Sequence, residues 1–155
     1  MGQDLIAVDD PEAPDVRDLL SRHLAVMASH SPPENVFALD VSGLLDPAVT
    51  LYGYRRAGGL LAIGALKYLG SRHGELKSMH TAAEARGAGI GRAMLNHLIG
   101  VARDRGYQRL SLETGSMAGF APARALYASA GFTECGAFAG YEASPHSTFM
   151  SLSLD

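Results

Sequence analysis

Arg86-Gly87-Ala88-Gly89-Ile90-Gly91-Arg92-Ala93-Met94-Leu95 is a glycine-rich loop feeding a helix. From Ile90 onward, Met94, Leu98 and Val101 recur at helical spacing, with Arg92, Asn96, Arg103 and Asp104 on the opposite side. Gly106 supplies the stop. Glycines at 87, 89 and 91 remove Cβ atoms from the loop, so backbone can approach a ligand closely. The helix that follows presents unpaired N–H groups and the positive end of its dipole, which together suit a phosphate. Arg86 and Arg92 add fixed positive charge. A Walker loop would need Gly-Lys-Ser/Thr four residues after a glycine, and no such string occurs. A dinucleotide fingerprint would need a third glycine at 92 or 94, where Arg92 and Met94 stand. What remains is Arg-x-x-Gly-x-Gly at Arg86, Gly89 and Gly91.

Upstream, Glu75 to Thr81 reads as a strand, with Glu75, Lys77 and Met79 expected on one face and Leu76, Ser78 and His80 on the other. A hairpin precedes it, Val49–Tyr54 and Leu60–Leu66 flanking Arg55–Gly59. Downstream come a strand at Arg109–Glu113, a helix at Ala121–Ala130 closed by Gly131, and strands at Phe132–Phe138 and Thr148–Leu154. At the other end, a strand at Gln3–Val8 leads to a helix carrying Val16, Leu19, Leu20, Leu24 and Met27 as far as His30. Ser31-Pro32-Pro33-Glu34 breaks that helix, and a second short one is expected over Asn35–Leu45. The pattern predicts a single α/β (α+β) domain over 1–155, with a mixed central sheet flanked by about four helices.

Composition narrows the function. The 155 residues are 47% hydrophobic and 19% charged, ordinary for a globular chain. A net charge of −3 provides no global basic field, so no nucleic-acid partner is expected. No apolar run reaches the roughly 18 residues of a membrane span, and the acidic N-terminus lacks a secretory layout. No membrane association and a cytoplasmic location are the expectations. The lone Cys135 excludes an internal disulfide and multi-cysteine metal sites, and reads as an inert thiol. The histidines show no recognised metal spacing, so no metal is expected. Met27, Met94 and Met150 read as core filler.

The loop resembles the pyrophosphate loop of the GNAT acyl-CoA N-acetyltransferase superfamily. Ala123–Phe132, with Leu126-Tyr127 and Gly131-Phe132, is similar to that family's closing motif, and Glu75–Met79 to its central strand. Glu113-Thr114-Gly115 and Ser31–Glu34 with Ala38–Asp40 resemble a small bacterial subgroup. Many members carry Asn seven residues before the helix tyrosine; Phe120 stands there, so that side-chain contact to the cofactor is not carried over. The resemblance implies an acetyltransferase using acetyl-CoA and acting by direct transfer. Its acceptor would be a small-molecule amine, or alternatively a protein amine, and dimers are common in the family. A non-catalytic acyl-CoA sensor is the competing class.

The resemblance also implies site residues. Arg86, Gly87, Ala88, Gly89, Ile90, Gly91 and Arg92 would hold the pyrophosphate, and Met79, His80 and Thr81 would pair with the pantetheine arm through main chain. A backbone N–H near Met79 would stabilise the oxyanion. Glu75 is the candidate base, with Lys77 on the same face as a rival structural partner; Glu113 is a second candidate and His80 a third. Tyr127 occupies the family position for the acid that donates to the leaving thiolate, or packs as an aromatic with its hydroxyl at the rim. His23, Glu34 and Phe37 are candidate substrate contacts.

Overall fold

A computed structural model describes residues 4–33 and 39–154. The strands are β1 (Asp4–Val8), β2 (Val49–Arg56), β3 (Gly59–Gly70), β4 (His73–Thr81), β5 (Arg109–Gly115), β6 (Thr133–Cys135) and β7 (Ser147–Ser153). The α-helices are α1 (Pro14–His30), α2 (Val41–Leu44), α3 (Ile90–Asp104) and α4 (Ala121–Ser129). One seven-stranded sheet runs β1-β2-β3-β4-β5-β7-β6. Among the described residues only β4 and β5 pair in parallel; the other neighbours are antiparallel, so the sheet is mixed as expected.

Two apolar clusters cover the two faces. On one, Met94, Leu95 and Leu98 of α3 pack on Leu66, Leu76 and Leu112. On the other, Val16, Leu19 and Leu20 of α1 pack on Leu51, Ile63 and Ala65. The periodic stripes read from both helices are therefore what buries them. Met94 and Met150 are core residues, whereas Met27 is only partly buried and lines a cavity.

Three expectations are corrected. The second helix is only Val41–Leu44 among the described residues, because Asp40 caps it by accepting from the Gly43 N–H; 35–38 lie outside them. The strand expected at Phe132–Phe138 shrinks to Thr133–Cys135, the part that finds partners on β7. The face alternation of β4 also breaks. Opposite it, register slips between Ile63 and Ala65, and Ser78 takes the left-handed φ of +55°. This bulge inserts one residue and exchanges the faces beyond it. Met79 thus joins Leu76 on the α3 side, while His80 joins Glu75 and Lys77 on the α1 side. Gly64 makes room for the bulge: a Cβ there would stand 2.8 Å from Met79 Sδ and 2.9 Å from Leu98 Cδ1.

Candidate active site

β4 and β5 pair only from His73/Arg109 to Leu76/Leu112, although β4 continues to Thr81 and β5 to Gly115. Beyond the bulge the strands splay, and a cavity of about 750 Å³ opens through the sheet. On the α3 side its walls include Leu76, Met79, Ile90, Leu126 and Tyr127. On the α1 side they include His23, Met27, His30, Ile63, Lys77 and His80. Glu75 and Glu113 contribute from neighbouring strands. At one rim the His30 and Phe120 rings meet edge to face at 5.4 Å, joining α1 to the turn before α4.

The glycine loop forms another part of the wall. Gly87 and Gly89 have φ of +83° and +79°, and a Cβ at either would meet nothing within 4 Å. Their conformation is the left-handed one that glycine adopts without penalty. Gly89 is the N-cap of α3 and makes no side-chain cap, which leaves the first N–H groups of the helix facing the loop. Arg86 Nε donates to the Thr81 carbonyl at 3.3 Å, tying the loop to the end of β4. Arg92 is exposed one turn into the helix. Arg86, Gly87, Gly89, Ile90, Gly91 and Arg92 all line the cavity; Ala88 does not.

Tyr127 sits on α4, which Arg124 ties to the end of β5 and the turn after it through hydrogen bonds to the Gly115 and Met117 carbonyls. Its ring lies edge to face with Phe132 at 5.9 Å. Burial pushes its hydroxyl up to about 12, so it stays protonated at neutral pH.

The two carboxylates differ. Glu75 is 3% exposed, and its Oε2 accepts from Lys77 Nζ at 3.1 Å and from the Tyr141 hydroxyl at 2.5 Å. Lys77 Nζ also donates to the Tyr141 oxygen at 2.8 Å. Glu113 makes no salt bridge among the described residues. Burial raises its pKa, against the pull of the nearby Ser147 hydroxyl and of the Lys77 ammonium.

His23 and His80 face one another with Nδ1 atoms 3.2 Å apart. His23 is held down to about 4 by burial and by His80; His80 is held down to about 4 by burial and the nearby Arg86 and Arg22. An unfolded imidazole takes up its proton near 6.5. The folded form binds fewer protons between those values, so stability should fall as pH drops from 6.5 toward 4. Tm followed across this range should show the decline, and His23→Leu should make it shallower; an unchanged slope would exclude the pair as its source.

The site therefore gathers Tyr127, Glu75, Glu113, Met79, His80, Thr81 and His23, but Glu34 and Phe37 lie outside the described residues. Sequence reasoning missed Tyr141. It sits between β6 and β7, 66 residues from Glu75, and no motif marks it.

The model of the acetyltransferase (GNAT) family matches residues 13–132. The chain belongs to that family, as the seven-stranded sheet, the splayed strands and the glycine loop lead one to expect. It is an acyl-CoA-dependent N-acetyltransferase. It is similar to "Uncharacterized N-acetyltransferase YedL" of Escherichia coli (strain K12) and "Uncharacterized N-acetyltransferase YsnE" of Bacillus subtilis (strain 168). Each is 46% identical over 149 residues, 96% of this chain, covering 94% of the first protein and 99% of the second. A solved structure from Klebsiella pneumoniae, assigned as an acyl-CoA N-acyltransferase, has 28% identity and a TM-score of 0.83, over 99% of both chains. Among the described residues no helix is long and apolar enough to cross a membrane.

Proposed function

We propose that this chain moves an acetyl group from acetyl-CoA to the primary amine of a small molecule, by direct transfer. The observation that carries the small-molecule reading is the His30–Phe120 ring contact at 5.4 Å, which bridges α1 and the turn before α4 at the acceptor rim of the cavity. Cys135 is not among its lining residues, which favours transfer without an acyl-cysteine.

Acetyl-CoA supplies a diphosphate and a reactive thioester, and the residues present suit both. Gly87 and Gly89 leave open space over uncapped N–H groups of α3, and Arg86 and Arg92 flank them. Met79, His80 and Thr81 lie on the stretch of β4 that β5 does not pair, so their main chain is available to the pantetheine arm. The Met79 N–H is the donor for charge developing on the carbonyl oxygen.

Glu113 is the base in this reading. An ammonium of pKa near 10 must lose a proton before it can attack. Glu75 already accepts from Lys77 and Tyr141, whereas Glu113 lines the cavity with a pKa raised by burial. Glu113→Gln should lower kcat/KM by about 100-fold or more, within the usual range for a lost general base. Parent activity should fall as pH drops through the raised carboxylate pKa, and the variant should lack that acid limb. Identical pH–rate profiles would remove Glu113 from the mechanism.

Tyr127 acts as a hydrogen-bond donor to the departing sulfur. With its hydroxyl near 12 and an ordinary thiol near 8.5, complete proton transfer to the thiolate is uphill, but donation of a hydrogen bond is not. Acetyl-CoA offered with a panel of amines and peptides tests the whole reading. Free thiol released in proportion to a small amine supports it; release only with peptides points to a protein acetyltransferase. CoA binding without release in any mixture would make the chain a sensor.

A further inference from the structure

The α1 side of the cavity, where the acceptor enters in the reading above, contains charges that do not balance. Glu75 and Glu113 provide two carboxylates and Lys77 one ammonium. That ammonium is committed: its side chain is 9% exposed, and it donates both to Glu75 Oε2 and to the Tyr141 hydroxyl. Arg92 belongs to the glycine loop, and Arg86, near enough to hold the His80 pKa down, is tied to the Thr81 carbonyl at 3.3 Å. Arg22 on α1 turns to Asp18 at 3.0 Å and Glu84 at 3.4 Å. Val26, Met27, Ile63 and Phe120 give the wall its apolar part, and His23 and His80, both held below the usual imidazole range, add rings without charge at neutral pH.

We propose that the acceptor is an amine with no free carboxylate beside its amino group, so that free α-amino acids are excluded. The inference rests on the amine-acetylation reading and narrows it. A carboxylate entering this space would join two others, and the lysine ammonium there is already held by Glu75 and Tyr141. Like charges in a partly buried space repel strongly, and an unpaired buried carboxylate carries its full desolvation cost. An ammonium meets the opposite situation, because Glu113 has no ion-pair partner among the described residues. The apolar wall then suits a hydrocarbon or aromatic body in place of the carboxylate.

Phenethylamine, L-phenylalaninamide and L-phenylalanine share a body and differ in the group beside the amine. Each is titrated calorimetrically into the CoA-saturated protein, and each is assayed for thiol release from acetyl-CoA. Phenethylamine and the amide should bind at least about tenfold more tightly than phenylalanine, a difference of ~1.4 kcal/mol. Phenylalanine binding as tightly as either, or none of the three binding, overturns the proposal. Binding in the expected order without thiol release would sink acetyl transfer and leave the carboxylate exclusion standing. Glu75→Gln provides a second measurement on the same pair. By freeing Lys77 it should narrow the gap through a gain in phenylalanine affinity, and an unchanged gap in a folded variant counts against the charge argument.

Discussion

Tyr127→Phe is expected to turn over about 10- to 100-fold more slowly than the parent, the loss of one hydrogen bond to a charged group at roughly 1.5–3 kcal/mol. Affinity for CoA should stay within about twofold, because the variant keeps the ring and its edge contact with Phe132 at 5.9 Å. The hydroxyl is buried and held near 12, so across neutral pH it is a donor that never ionises. A group of that kind makes its contribution when charge appears on the sulfur, not while the thioester is intact. The loss should therefore appear in kcat, with KM for acetyl-CoA little changed. Packing alone makes the opposite prediction, since phenylalanine fills the same space. Equal kcat values in the two proteins would leave Tyr127 as a wall residue and nothing more.

How far the sequence could be read depended on whether the relevant signal was local. α3 and its loop were legible because Ile90, Met94 and Leu98 repeat at helical spacing and glycines at 87, 89 and 91 leave the loop without Cβ atoms. The parity of β4 was not, because alternation carried past residue 78 assumes an unbroken ladder. One inserted residue there moves Met79 toward α3 and His80 toward His23, and nothing in Glu75–Thr81 announces a serine at φ +55°. The same limit separates Glu75 from its partners. Lys77, two residues away, was an evident neighbour, but Tyr141 reaches the carboxylate from a segment without periodicity. His23 and His80, 57 residues apart, were each singled out, yet only the packing of α1 on β4 makes them a pair.

Gly89→Asp is expected to weaken CoA binding by more than about 100-fold while leaving the protein folded. Two features make this position a clean electrostatic probe. A Cβ at 89 meets nothing within 4 Å, so the side chain displaces no protein atom. The φ of +79° strains any side chain placed there, but aspartate and asparagine tolerate it better than other residues and share that cost. A carboxylate at the N-terminus of α3 favours the helix by roughly 0.3–1 kcal/mol, which offsets part of the roughly 1–2 kcal/mol of left-handed strain, so Tm should fall only slightly. Against a bound diphosphate the same charge acts in the opposite sense. Each pair of like charges about 4 Å apart costs between ~1 and ~4 kcal/mol as the effective dielectric falls from that of water to that near a protein surface. Two phosphates then carry the loss past two orders of magnitude. Gly89→Asn isolates the cause, because it has the same shape and backbone preference without the charge. It should keep most of the affinity, and added salt should recover part of what the aspartate loses. Calorimetry that finds the two variants binding CoA equally well would mean that the diphosphate does not sit on this loop, and the proposed geometry of transfer would fall with it.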